Sequence, residues 1–256
     1  MLLPILLGFL MAPADPQAAL DAGRASLHRA DYASAELRFR DALKALPPTD
    51  PRVPSAWANL GAALYLAGRL PESEQATLRA IETFQPSQSA DLASAIANLA
   101  TLYRRSGRFA DAEAFYRRAS RTVESIHGPR STPAGVMRHH FAELYRAWGK
   151  PDEAERHARS AVALLEGAAQ PDHVTYSHSL LTLGIVLHSK GAYDQAEAFI
   201  LRSLNLRDEL LPPGDSRLAP ALLALASLRM DQMRPADAEH LLRSALSISE
   251  GALGPD

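Results

Sequence analysis

Slid along itself, the chain falls into register at six places, and this repetition limits its fold more than any other feature. The matching stretches are 30–43, 68–81, 107–120, 149–162, 191–204 and 233–246, as in GRFADAEAFYRRAS (107–120) and GAYDQAEAFILRSL (191–204). Their starts lie 38, 39, 42, 42 and 42 residues apart. Each opens at a turn residue, passes an apolar side chain, reaches a small residue followed by glutamate, and closes on an apolar cluster. A period of this length marks one supersecondary unit stacked many times, whose copies bury their apolar faces only against each other.

Each stretch is preceded by a second segment with helical spacing. Trp57, Leu60 and Leu64 share a face, as do Ile96, Leu99 and Tyr103, and Leu180, Leu183 and Leu187. Small residues recur beside them at Gly23, Gly61, Ala100, Ala142, Gly184 and Ala226, where a partner helix can approach closely. In the second helix Ala35, Ala112, Ala154, Ala196 and Ala238 leave room for the first, and Phe39, Tyr116, Ile200 and Leu242 are expected to fill the far end. The glutamate beside each small residue is expected to face solvent. Gly68, Gly107, Gly149 and Gly191 end the first helices with the positive φ that glycine accepts. Alanine and leucine recur throughout while aromatics make up 6%, a balance that favours packed helices over sheets.

This pattern resembles the tetratricopeptide (TPR) repeat: Trp57, Leu60, Gly61, Gly68, Ala80 and Pro86 fall where its signature expects them. The 42-residue spacing of the later units resembles the kinesin-light-chain subtype, with Ile126 to Pro129, Leu211 to Gly214 and Leu253 to Asp256 between pairs. Ser73, Thr77, Arg138 and Met233 depart from it. The resemblance implies an all-α, right-handed superhelical solenoid of about six antiparallel helix pairs. They would lie near 16–50, 54–88, 93–127, 135–169, 177–211 and 219–252, within an array spanning 15–256. The sequence stops at a linker, so the last unit is expected either to pair with a second copy as a homo-oligomer or to continue in a longer reading frame.

The N-terminus reads differently. Leu2 to Met11 is an apolar run too short to span a bilayer, and Ala12-Pro13-Ala14 has the small-x-small form of a signal-peptidase site. Residues 1–14 are therefore expected to be a signal peptide, and the protein exported to a bacterial periplasm or secreted. No basic side chain precedes Arg24, and this leaves a hydrophobic cap on a cytoplasmic protein, or a misplaced start codon, as the alternative.

Several functions are disfavoured. There is no cysteine, so disulfides, thiolate metal sites and cysteine nucleophiles do not arise. A formal charge of −2 without long runs of one sign does not suit nucleic acid, and no segment suits an integral membrane span. Neither a phosphate loop nor an H-E-x-x-H or G-x-S-x-G motif occurs. His139, His140 and Glu143 form the densest polar cluster, but they lack the matching helices a metal would need. No enzyme, cofactor or metal is expected.

In the family the first helices line the binding face, and helical spacing identifies which side chains point there. The residues so placed are Asn59 and Tyr65, then Asn98, Thr101, Arg104 and Arg105, then His139, His140 and Arg146, and finally His188. Asn59 and Asn98 stand at equivalent points, where similar repeats use amides to hold a ligand's backbone, since an amide both donates and accepts. The expected function is a protein-interaction scaffold. Its ligand would be a protein or peptide segment, acidic over units three and four and apolar over unit five. The alternative is a regulatory or sensor module of a larger signalling or protease assembly.

Overall fold

The computed structural model describes residues 15–84, 89–170 and 172–253. The segment 1–14, Pro86 and the final Gly254 to Asp256 lie outside them. The described residues form twelve α-helices with one short 3₁₀ turn, and no strand. In chain order these are α1 (Pro16–His28), α2 (Tyr32–Ala45), α3 (Val53–Leu66), α4 (Leu70–Phe84), α5 (Ala90–Arg105) and α6 (Phe109–His127). They continue as α7 (Thr132–Ala147), α8 (Pro151–Glu166), α9 (His173–Ser189), α10 (Tyr193–Leu210), the turn Ser216–Leu218, α11 (Ala219–Asp231) and α12 (Pro235–Leu253). Two compact units result, one ending at Arg105 with α5 and one beginning at Ser106 before α6.

The turn inside each pair follows from local stereochemistry. Gly68, Gly149 and Gly191 take φ of 77°, 72° and 77°, and the residue after each returns its N–H to a carbonyl of the preceding helix, as Arg69 does to Leu64 at 2.9 Å. Ala30 and Met233 hold the same turn position at φ 57° and 58°, where a Cβ is strained.

Close approach between paired helices depends on the small residues singled out above. A Cβ on Gly23 would lie 2.6 Å from the Phe39 ring, and one on Gly184 2.6 Å from Ile200 Cγ1. Phe39, Tyr116 and Ile200 are wholly buried, and truncating any of them to alanine would cost about 2–5 kcal/mol. Leu242 departs from the expectation. It is 44% exposed on α12, the last of the described helices.

The glutamates of the second helices do not simply face water. Glu74 accepts from the Tyr103 hydroxyl at 2.8 Å, and Glu113 from that of Tyr145 at 2.9 Å. Glu155 meets Lys190 at 2.6 Å, and Glu197 takes a bidentate grip from Arg229. Each reaches from a second helix into the next helix pair, so a residue that reads as surface in one repeat ties two repeats together. Burial would raise the Glu113 carboxyl, but Arg117 and Tyr145 outweigh that and hold it below the usual range.

Candidate peptide-binding faces

In the first unit three of the sequence-nominated residues, Tyr65, Asn98 and Thr101, converge on a hollow. The α3 and α4 backbones are nearly as close here as those of α9 and α10, since a Cβ on Gly61 would lie 3.4 Å from the Thr77 backbone nitrogen and one on Gly184 3.2 Å from that of Ile200. Thr77 occupies the place of Phe39, Tyr116 and Ile200 but is much smaller. The space it leaves is an open cavity of about 180 Å³ bounded by Gly61, Ala62, Tyr65 and Leu66 of α3, Thr77 of α4, and Asn98 and Thr101 of α5. Ser73, in place of the usual alanine, sits at its base and donates to the Gly61 carbonyl at 2.8 Å.

The rim is polar. Asn98 is exposed, with its amide available to a ligand. Arg105 lies with its guanidinium 4.8 Å from the centre of the Tyr65 ring, a cation–π contact that leaves its charge at the surface. Arg104 is half-buried beside it on α5. Asn59 lies on α3 nearly two turns before Tyr65 and does not line the hollow.

In the second unit the nominated side chains are engaged with one another. His139 and His140 of α7 sit 6.0 Å apart, His139 stacks on His178 of α9, and His140 stacks on the buried Tyr116 at 5.3 Å. Packed neighbours, and then the charge of Arg207, hold the His178 pKa below the usual imidazole range, although part of the ring meets solvent. Arg146 is bound to Glu143 by two hydrogen bonds of 3.1 and 3.0 Å, and Thr182 donates to the same carboxylate at 2.8 Å. Burial alone would raise the Glu143 carboxyl, but Arg146 and Thr182 outweigh it and hold the pKa at about 2. The cationic character expected of Arg146 is thus neutralised locally. His188 faces Asp231 of α11 at 2.7 Å.

The apolar part of this face also differs from the expectation. Leu181 and Thr182 are 7% and 4% exposed, so α9 offers little surface there, and the outward apolar side chains are Leu223 and Met230 of α11.

Two further features were not anticipated. Lys150 stands 3.5 Å over the Trp148 ring, which stacks in turn on Tyr145 and Phe109. Arg138, at a position that carries Trp57, Ile96 or Leu180 elsewhere, pairs with Glu124 at 3.0 Å and borders a polar cavity of about 220 Å³ with His157. Burial first, then Arg138, Arg156 and Arg117, push the His157 pKa down to about 4. Trp148 and Arg138 depart from their repeat columns, whereas Lys150 shares its column with Arg69, Arg108 and Arg234. Among the described residues no cluster of three or more His, Asp or Glu is placed to hold a metal, and no helix is long and apolar enough to cross a membrane.

Paired helices joined by tight turns, with small residues at each crossing, define a TPR-type helical repeat protein. Residues 18–183 match the family of the MalT-like TPR region, and the chain belongs to that family. No curated protein sequence matches it. Among solved structures it is similar to BtubC (BKLC) from P. vanneervenii, at TM-score 0.65 and 18% identity, covering 94% of this chain and 93% of that one. It is also similar to the kinesin-light-chain TPR-like repeats of Podosopora anserina, at TM-score 0.61 and 16% identity over 82% and 99% of the two chains. PilF of Pseudomonas aeruginosa aligns at TM-score 0.59 and 16% identity, over 88% of each chain. At these identities the likeness concerns the fold. A TPR-type helical repeat fold is typically that of a protein-interaction scaffold.

Proposed function

We propose that this chain is a non-catalytic scaffold that captures an extended peptide on the first-helix face of its first unit. One apolar side chain of the ligand enters the hollow at Thr77, Asn98 pairs with the ligand backbone, and Arg105 meets an acidic residue beside it. The observation that carries this reading is the convergence of Tyr65, Asn98 and Thr101 on one cavity of about 180 Å³. A concave, largely apolar space with a few polar groups at its edge suits one large side chain and orients what is attached to it. The acidic preference rests on Arg105, since the charge of Arg146 is already answered by Glu143. Peptide contact over the second unit involves His139, His140 and His188, with Leu223 and Met230 as its apolar part.

The test selects peptides from a displayed random 12-mer library on the full chain and measures their affinity by fluorescence anisotropy. Asn98→Ala and Thr77→Ile are each expected to weaken the selected peptides at least about tenfold, one charge-free amide contact and one filled pocket each being worth that much. Selected peptides that bind both variants as tightly as the parent would overturn the assignment.

A second reading, a regulatory or sensor module within a larger assembly, draws support from the match of residues 18–183 to a MalT-like TPR region. Export is proposed from the sequence of residues 1–14 alone. Fusing residues 1–20 to a reporter tests it, and an uncleaved cytoplasmic reporter would refute it.

A further inference from the structure

Arg207 is the one arginine that the fold takes almost entirely out of water among the described residues, with 4% of its surface exposed. It lies in the last turn of α10, at a repeat position that carries Leu46, Phe84, Val123 and Leu165 in the four preceding units. A second change accompanies it. Ser203 stands where the other five repeats carry Ala42, Ala80, Ala119, Ala161 and Ala245. The two act together: Ser203 Oγ accepts from Arg207 Nε at 3.3 Å while donating to the Ser177 carbonyl at 2.7 Å. One further guanidinium N–H goes to the Arg217 carbonyl.

No carboxylate answers this charge among the described residues. Asp172 is nearby, but Thr175 holds both of its oxygens, through its N–H at 2.9 Å and its hydroxyl at 2.6 Å. Asp215 is taken up by Arg217 at 2.8 and 2.7 Å. A buried guanidinium without a counter-charge is costly, and here burial and the charge of Arg217 depress its pKa. The same side chain lines a cavity of about 470 Å³ whose other walls include Val174, Leu210 and Leu211. That volume lies in the range of small-molecule sites. Its polar walls are Arg207, Arg217, Asp172, His173, Ser177 and His178, Arg217 already being paired with Asp215 and Asp172 held by Thr175, and Val174, Leu210 and Leu211 supply hydrocarbon.

The geometry points to a binding site in the second unit for a small carboxylate carried on an apolar body, with Arg207 as its counter-ion. The carboxylate supplies the charge that the protein withholds, through the forked geometry guanidinium offers. Val174, Leu210 and Leu211 cover the tail. This site is separate from the first-unit hollow proposed above and stands or falls independently of it.

Sodium octanoate is the probe, with 1-octanol and octylammonium as neutral and cationic controls of the same length, titrated calorimetrically into the full chain. Octanoate is expected to bind at least about tenfold more tightly than either control, and to slow amide exchange at the start of α9 and the end of α10. Arg207→Leu, which restores the repeat's apolar residue, is expected to remove that preference without lowering the melting temperature, since an apolar replacement of a buried charge is tolerated. Octanol binding as tightly as octanoate would overturn the proposal without recourse to any variant. So would an unchanged octanoate affinity in Arg207→Leu, which would leave Arg207 as a staple for the Arg217 carbonyl only. Binding of the acidic peptide acetyl-Leu-Glu-Leu-amide in place of octanoate would likewise overturn the small-molecule assignment.

Discussion

Replacing Thr77 by isoleucine tests the fold and the proposed function with one substitution. Thr77 is 3% exposed, and no hydrogen bond from its hydroxyl is found among the described residues. It faces Gly61 at the separation that Phe39 and Ile200 keep from Gly23 and Gly184, so the helix crossing already accepts a larger residue. Isoleucine keeps the β-branch and replaces the hydroxyl by an ethyl group directed into a cavity of about 180 Å³. Two added carbons contribute about 0.8 kcal/mol each, less some strain in seating the chain; the hydroxyl borders the open cavity, so its removal adds little. A net gain of about 1 kcal/mol follows. Amides of α3 to α5 that exchange by opening of the first unit should slow about fivefold by hydrogen-exchange mass spectrometry. Thr77→Val serves as the control, because it exchanges the hydroxyl for a methyl without filling the space, and about half of that gain is expected. The same Thr77→Ile protein should lose the selected peptides. Faster exchange in α3 to α5 would refute the reasoning, because it would mean that no usable space lies opposite Gly61. Slower exchange with intact peptide binding would keep the cavity and remove it from the binding face.

Other consequences concern protonation and turns. His157 has a folded pKa of about 4 against an ordinary value of 6.5, so between those values the unfolded chain takes up a proton that the folded one refuses. Stability therefore falls as pH drops through that window, and His157→Phe, matching Phe115 and Phe199, should remove this part of the acid sensitivity in denaturant melts at pH 4.5 and 7. Glu143 has the opposite kind of group but the same slope. Its pKa is lowered from 4.5 to about 2, so its contribution is complete above the unfolded value and is lost as pH falls toward 2. Glu143→Gln should cost roughly 2–3 kcal/mol at pH 7 and flatten the decline below pH 4.5; equal acid slopes in parent and variant would count against the Arg146 and Thr182 bonds. Met233→Gly relieves a φ of 58° and should raise stability by about 0.5–1 kcal/mol in thermal melts, the strain relieved being partly offset by glycine's chain entropy. A melting temperature below that of the parent would contradict this.

Much of the architecture was legible without coordinates, and for a local reason. The period, the paired helices, the glycine turns at Gly68, Gly149 and Gly191, and the tight crossings at Gly23 and Gly184 each depend on residues within about one repeat. Helical spacing likewise placed Tyr65, Asn98 and Thr101 on one face, because a helix converts sequence separation into direction without reference to anything else. Thr77 was visible as a departure, but that it leaves a hollow depends on how closely three helices settle around it. Side-chain identity alone does not state that volume. The glutamates reading as solvent-facing turned out to bridge repeats, since Glu155 to Lys190 and Glu197 to Arg229 span a loop and a helix before they meet. Arg146 lost its expected role for the same reason: Glu143 is a neighbour along the helix, but Thr182, which completes the carboxylate's partners, comes from α9. Arg207 is the clearest case. The sequence by itself determined that a charge occupies an apolar column of the repeat, because that is a comparison of one unit with another. Only the tertiary structure decided that the charge is buried beside a cavity, because its solvation depends on groups brought together from three separate segments of the chain.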